Sequence, residues 1–274
     1  MRRMRTLTLT GGLVVLLLSG LFSHDFWLVP EKYRAKPGET LVLSANTGMD
    51  FPKSLSAVTP GRLDQFMLVS ASGKKDLKDY KTEGNSLTTE ITCGESGTYV
   101  VGASLKPNEI RLTAVEFNEY LQLDGLPDIY ELRKREGILD KDAVEHYSKY
   151  PKTIIRVGDR LDETPTKPLG LALEIVPQVN PYRLKNGDHL NVIVLFRGKP
   201  LPGADIAWSF PGRGDSFAGS IKTDAQGKAS VPLTQAGPYV IRLTHMEWVK
   251  LQTHEWESFW TSLTFEVPGG SPTR

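Results

Sequence analysis

The stretch HLNVIVLFRGKPLPGADIAWSF, residues 189–210, decides the class of fold. Its two outer runs, HLNVIVLF and ADIAWSF, contain β-branched and aromatic residues that favour strands. The RGKPLPG segment between them carries the glycine and proline residues that favour a turn. We therefore interpret the stretch as two strands of a β-rich region that are separated by a turn.

Short β-rich runs continue on both sides of this stretch, separated by turn-forming segments such as KPG, ESG and TDAQGK. The further strand candidates are ETLVLSAN, QFMLVSA, SLTTEIT, TYVVGAS, LALEIVP, KASVPLT, YVIRLTH and SLTFEV. Short strands at even spacing with turns between them are typical of a β-sandwich. The sequence therefore predicts a mainly β protein.

A weak internal echo suggests two related modules. The matched pairs are KPGETLVLS with KNGDHLNVI, and ESGTYVVGAS with QAGPYVIRLT. Such turns also recur by chance in β-proteins, so a true duplication remains one of two interpretations. We expect two immunoglobulin-like or transthyretin-like β-sandwich modules at residues 24–114 and 161–268, followed by a flexible tail at 269–274.

Residues 115–160 break the β pattern and predict a short helical insert between the modules. Pro127 can open a helix over PDIYELRKRE that Gly137 can close, and Asp140 can cap a second helix over KDAVEHYSKY. We interpret the basic residues of this segment as a solvated face. His146, on the second predicted helix, is therefore left outside the predicted site.

The first 23 residues have the three-part pattern of a secretory signal peptide. A basic start at residues 2–5 precedes an apolar run at 7–22, which small Ser23 closes. The run is shorter than the roughly 20 apolar residues that span a bilayer as a helix, and an uncleaved anchor is the alternative. We expect cleavage after Ser23, export to the periplasm or cell envelope, and no integral membrane domain in the mature chain.

Composition excludes several classes of function. The chain has 33 basic and 32 acidic residues and a net charge of +1, which argues against a nucleic-acid partner. Its single cysteine, Cys93, cannot form an intrachain disulfide, and we interpret it as a small apolar residue beside a turn. The phosphate-loop, G-x-S-x-G, H-E-x-x-H and CxxC motifs are all missing from the sequence. We therefore predict binding without catalysis.

His24 has special chemistry if it becomes the mature N-terminus. A terminal amine has a pKa of about 7.7 to 8.0, so it can deprotonate and form a chelate ring with the imidazole Nδ1. A second imidazole, from His245 or His254, would complete a planar three-nitrogen set that suits Cu(II) or Ni(II), with Met246 or a carboxylate as an axial or alternative ligand. For His254, incidental placement among packed tryptophans is the alternative. Cleavage after Leu21 would instead place His24 third, in an amine, amide and imidazole clamp.

Several segments together resemble the exported DUF4198 proteins, which are often labelled periplasmic components of nickel or cobalt uptake. They are SHDFWLVP, HYSKYPKTIIRVG, PLGLALEIVPQVNPYRLKNGD, GKPLPGA, TDAQGKASVPL, THMEW and WESFWTSLTFEV. The resemblance implies β-sandwich domains in the cell envelope and a membrane metal-uptake system as partner. Its HDFW start matches His24, and its HM motif matches His245 and Met246, whereas His254 falls in a segment that varies in the family.

The leading hypothesis is an exported, non-catalytic protein that holds a divalent transition metal through His24 and His245, with Met246 and His254 as further candidate ligands. It would deliver the metal to an uptake system or buffer it nearby. Two alternatives remain open. One is a copper-dependent oxidative enzyme that uses the N-terminal histidine chelate, and the other is an envelope scaffold or carbohydrate-binding β-sandwich protein.

Overall fold

Residues 24–269 are described by a computed structural model of the chain. The predicted signal peptide and residues 270–274 of the predicted tail lie outside this range. The N-terminal half contains β1 (Asp25–Pro30), β2 (Arg34–Ala35), β3 (Thr40–Gly48), β4 (Leu63–Ser70), β5 (Gly73–Asp76), β6 (Tyr80–Glu83), β7 (Ser86–Thr92), β8 (Gly97–Leu105) and β9 (Asn108–Leu112). Helices α1 (Ala114–Leu123) and α2 (Pro127–Arg135) follow, and then the long strand β10 (Ala143–Val157).

The C-terminal half is built from strands alone, apart from short 3-10 turns. Its strands are β11 (Leu173–Pro177), β12 (His189–Phe196), β13 (Lys199–Pro200), β14 (Asp205–Ser209), β15 (Gly219–Lys222), β16 (Lys228–Pro232), β17 (Gly237–Trp248) and β18 (Trp256–Val267). The stretch that opens the sequence analysis thus forms β12, β13 and β14, as its two β-rich runs predict. Among the residues that the structure describes, no helix is long and apolar enough to cross a membrane.

The strands form three sheets. One ten-stranded sheet has the order β15-β14-β17-β18-β10-β8-β4-β5, with β2 and β9 also paired to β10. A four-stranded sheet in the order β1-β3-β7-β6 comes from the N-terminal half. The other four-stranded sheet pairs β12 with β11, β13 and β16. The predicted fold class, mainly β with sandwich-like sheets, is confirmed.

β10 lies at the junction of two hydrophobic cores. Leu41 and Leu43 of β3 pack in the first core with Ile155 and Val157 of β10. Ile154, the residue that directly precedes Ile155 on β10, belongs to the second core. Because successive strand residues point to opposite faces, the two four-stranded sheets cover opposite faces of the ten-stranded sheet. The two halves of the chain therefore share one sheet.

The helical insert is shorter than predicted and one of its helices is wrong. The helix predicted to open at Pro127 is confirmed as α2, but KDAVEHYSKY forms the first part of β10. That segment pairs with β9 on one side and with β18 on the other, so sheet hydrogen bonds outweigh its local helix signals. The additional helix α1 begins at Ala114, and its N-cap Thr113 forms a capping box with Glu116.

Both helices cover one end of the ten-stranded sheet through an aromatic third core. Phe117 and Tyr120 of α1 pack there with Met246, Trp256 and Trp260 of the sheet. The rings of Tyr120 and Trp260 are stacked, with centroids 6.0 Å apart. The helices thus cover the part of the sheet that contains Trp256 and Trp260.

Cys93 is buried in the first core, as the interpretation of a small apolar residue predicts. Burial raises the pKa of its thiol to about 11, so the reactive thiolate is disfavoured at neutral pH.

Candidate binding cavity at His24

A cavity of about 410 Å³ opens beside His24, between the end of β3, the segment that follows it, β9 and β10. Its polar lining residues include His24, Arg62, Asn108, Glu145, Tyr147 and Lys149, and its apolar lining residues include Val58, Leu105, Ile110 and Leu112. Glu145, Tyr147 and Lys149 alternate along β10 and therefore share one face of the sheet, which we call the cavity face. We call the side occupied by His146, Ser148 and Tyr150 the opposite face.

His24 immediately precedes β1, whose pairing with β3 fixes its place at the cavity. Its backbone carbonyl accepts a hydrogen bond from the Lys149 ammonium. Partial burial, aided by the positive charge of Lys149, lowers the pKa of the His24 imidazole. The ring is therefore neutral at pH 7, which is the form that coordinates metal ions.

Two cations line the cavity without a carboxylate partner. Lys149 is 5% exposed, and burial lowers its pKa to about 8. Arg62 donates hydrogen bonds to the Tyr147 hydroxyl at 3.1 Å and to the Lys106 carbonyl at 2.7 Å. Within residues 24–269, neither Lys149 nor Arg62 forms an ion pair with any Asp or Glu. Both positive charges remain uncompensated by direct contact.

Glu145 also lines the cavity and is buried, with 2% of its surface exposed. Its Oε1 accepts hydrogen bonds from the Ser258 hydroxyl and, at 3.2 Å, from the Tyr120 hydroxyl. Burial outweighs these hydrogen bonds and raises the pKa of the carboxyl to about 7. Near neutral pH this group therefore exists in both protonation states.

A buried ion triad lies behind the cavity and anchors β1. The Arg242 guanidinium contacts both carboxylate oxygens of Asp25, at 2.9 and 3.0 Å, and Oδ1 of Asp124 at 2.7 Å. Burial raises the pKa of Asp124 to about 6, although Arg242 opposes the shift. Because the triad joins β1, the end of α1 and β17, it fixes the backbone that presents His24.

His245 and Met246, both predicted ligands, point away from each other on β17. His245 lies on the opposite face, where its ring contacts Phe196 with centroids 4.5 Å apart. Met246 is 3% exposed and packs in the aromatic third core with Trp260. The structure brings neither side chain to the cavity that His24 lines.

His254 also lies on the opposite face, in the loop between β17 and β18. Its ring stacks on His146 with centroids 3.7 Å apart, and its Nε2 lies 3.2 Å from Oε1 of Glu257. Of the four predicted ligands, only His24 lines the cavity. In the part of the chain that the structure describes, no three His, Cys, Asp or Glu side chains form a metal-holding group.

Four residues of the cavity were not predicted from the sequence, namely Arg62, Glu145, Tyr147 and Lys149. The last three are visible as an alternating pattern in EHYSKY, provided that this segment is taken as a strand. Arg62 carries no comparable sequence signal. It lies in a 3-10 turn that is distant from β10 in the sequence, and only the tertiary fold brings it to the cavity.

The sequence model of a protein family described as a domain of unknown function (DUF4198) matches residues 21–247. No curated protein matches the chain. Among solved structures, the D0-D1 domain of intimin is similar over 87% of this chain and 96% of its own length, with 12% identity and a TM-score of 0.20.

Two further structures are similar over most of the chain. The Escherichia coli adhesin FdeC matches 91% of this chain and 66% of its own, with 13% identity and a TM-score of 0.26. The ectodomain of mouse nectin-like molecule 4 matches 91% of this chain and 65% of its own, with 14% identity and a TM-score of 0.20. Similarity at these TM-scores carries no inference about function.

Proposed function

Starting from the fact that the chain belongs to the DUF4198 family, we propose that it is an exported, non-catalytic binding protein that holds a divalent transition metal at His24. The metal is nickel, cobalt or copper, and a membrane uptake system in the cell envelope receives it. The observation that carries the proposal is the position of His24 beside an open cavity, where burial lowers the pKa of its imidazole.

His24 suits this role without help from the other predicted ligands. With cleavage after Ser23, the terminal amine and the imidazole of His24 supply two nitrogens from one residue. Further positions on the metal remain open to water or to a group within the cavity. His245, Met246 and His254 are left out of the proposed site because they lie in other environments.

The test uses the full chain secreted from cells, with the intact mass of the mature protein measured first. That protein is titrated with Ni(II), Co(II) and Cu(II) by calorimetry, alongside the variants His24→Ala, His245→Ala and His254→Ala. We expect His24→Ala to weaken binding at least tenfold. His245→Ala and His254→Ala are matched controls that should bind like the unmodified protein.

Metal binding that ignores His24→Ala would overturn the proposed site, and an intact mass that starts elsewhere would remove the two-nitrogen chelate. The copper-loaded protein is also assayed for reductant-dependent oxygen consumption. Consumption that His24→Ala abolishes would replace the non-catalytic part of the proposal with an oxidative enzyme.

A further inference from the structure

We infer that the cavity beside His24 is a binding site for a small carboxylate with an apolar body, held by Arg62 and Lys149. This site is distinct from the metal proposal, because the residues that would recognise the carboxylate are cations. Neither inference requires the other.

First, neither Arg62 nor Lys149 has a carboxylate counter-ion among residues 24–269. A buried cation is costly unless an anion or several hydrogen bonds compensate it. Lys149 donates to one backbone carbonyl, and Arg62 leaves its buried Nε without any hydrogen-bond partner. An anion in the cavity would compensate both charges, since the side chains of both residues line it.

Second, both cations lie close to the aromatic ring of Tyr147. The Arg62 guanidinium is 4.8 Å from the centroid of Tyr147, and the Lys149 ammonium is 5.5 Å from it. The Tyr147 hydroxyl already accepts hydrogen bonds from Arg62 and, at 3.0 Å, from the Asn108 amide. One carboxylate placed beside Tyr147 can therefore face both cations, and Arg62 has the fork geometry that suits a carboxylate.

Among residues 24–269, Glu145 is the only carboxyl group that lines the cavity, and it does not fill this role. Its Oε1 is already bonded to the hydroxyls of Ser258 and Tyr120 on the helix side. No ion pair joins Glu145 to Lys149 or Arg62 among the described residues. The positive end of the cavity is thus left for a ligand.

Third, the apolar residues that line the cavity indicate the chemistry of the rest of the ligand. A hydrocarbon chain in the cavity can pack against the apolar lining residues Val58, Leu105, Ile110 and Leu112. The volume of about 410 Å³ lies in the range of small-molecule sites. Inorganic phosphate or sulfate would compensate the charge of the two cations but would leave the apolar lining residues in contact with water. A carboxylate with a short apolar chain would both compensate the cations and cover the apolar lining residues.

The test is calorimetric titration of the secreted protein in EDTA, with straight-chain carboxylates from acetate to octanoate. We expect binding to tighten by about fourfold for each added methylene until the cavity is filled, as burial of a CH₂ group predicts. Hexanol is the uncharged control, and inorganic phosphate is the control for charge without an apolar body. Both should bind at least tenfold more weakly than hexanoate.

Arg62→Gln should weaken hexanoate binding at least tenfold. The matched control is Arg111→Gln, because Arg111 is exposed on β9 and pairs with Glu109 rather than lining the cavity. Equal binding of hexanol and hexanoate, tighter binding of phosphate than of hexanoate, no binding of any carboxylate, or retention of affinity in Arg62→Gln would each overturn the inference. Since EDTA removes the metal, failure here leaves the metal proposal standing.

Discussion

β10 carries two buried lysines whose surroundings differ. Lys152 lies on the opposite face, where its ammonium contacts Oε1 of Glu174 at 2.7 Å. Glu174 in turn accepts hydrogen bonds from the backbone N–H groups of Leu169 and Gly170. Lys149 lies on the cavity face, three residues earlier, and has no carboxylate partner among the described residues.

The difference separates a structural charge from one that is available to a ligand. The Lys152–Glu174 pair joins β10 to β11, and both side chains are almost completely inaccessible to water. Its partners are all part of the protein, so it needs nothing further. Lys149 is also buried, with 5% of its surface exposed against 1% for Lys152, but it adjoins a cavity, so an external anion can become its partner. Two lysines on one strand thus have two roles: Lys152 is a structural charge, and Lys149 is available to a ligand.

The largest expected effect comes from breaking the satisfied pair. Lys152→Met leaves Glu174 as a buried carboxylate without its cation, which is expected to reduce the free energy of unfolding by about 3 to 5 kcal/mol. Urea denaturation followed by circular dichroism measures the change. A loss below about 1 kcal/mol would show that the pair is not the structural charge described above.

A smaller effect is expected from the pH dependence of Glu145. Its pKa is raised from 4.5 to about 7 in the folded state, so the fold retains a proton that the unfolded chain releases. Its stabilising contribution is complete below pH 4.5 and is lost as the pH rises toward 7, by up to about 3 kcal/mol at 1.36 kcal/mol per pKa unit.

Glu145→Gln removes this titration while keeping the size of the side chain. The free energy of unfolding of the unmodified protein should therefore fall relative to that of the variant between pH 4.5 and 7. Denaturation curves at half-unit intervals of pH measure the difference. Two curves that stay parallel across this window would contradict the raised pKa.

Much of the fold was predictable because strand patterning is local. HLNVIVLF and ADIAWSF became β12 and β14, and the proline at position 127 correctly began a helix. The error at β10 has a physical cause: its helix-like signals are local, whereas its pairing partners β9 and β18 lie far apart in the sequence. α1 was missed although Thr113 and Glu116 carry the spacing of a capping box.

The site was predictable only in part. His24 was singled out for its chemistry, and the structure places it at the cavity. The companions chosen for it, His245 and His254, follow from the chemistry of histidine rather than from geometry, and both lie on the opposite face. The cations near His24 depend on the strand character of β10 and on the tertiary position of Arg62, which no local pattern encodes.

The smallest stability effect is expected for Lys149→Met, the counterpart of Lys152→Met on the same strand. It removes one hydrogen bond to the His24 carbonyl, worth about 1 kcal/mol, but it also removes a buried charge that lacks a carboxylate partner. These contributions oppose each other, so the free energy of unfolding should change by less than about 1 kcal/mol. Hexanoate binding should nevertheless fall at least tenfold in the same preparation. If Lys149→Met destabilises the protein as much as Lys152→Met does, the two lysines are equivalent structural charges and the distinction between them fails.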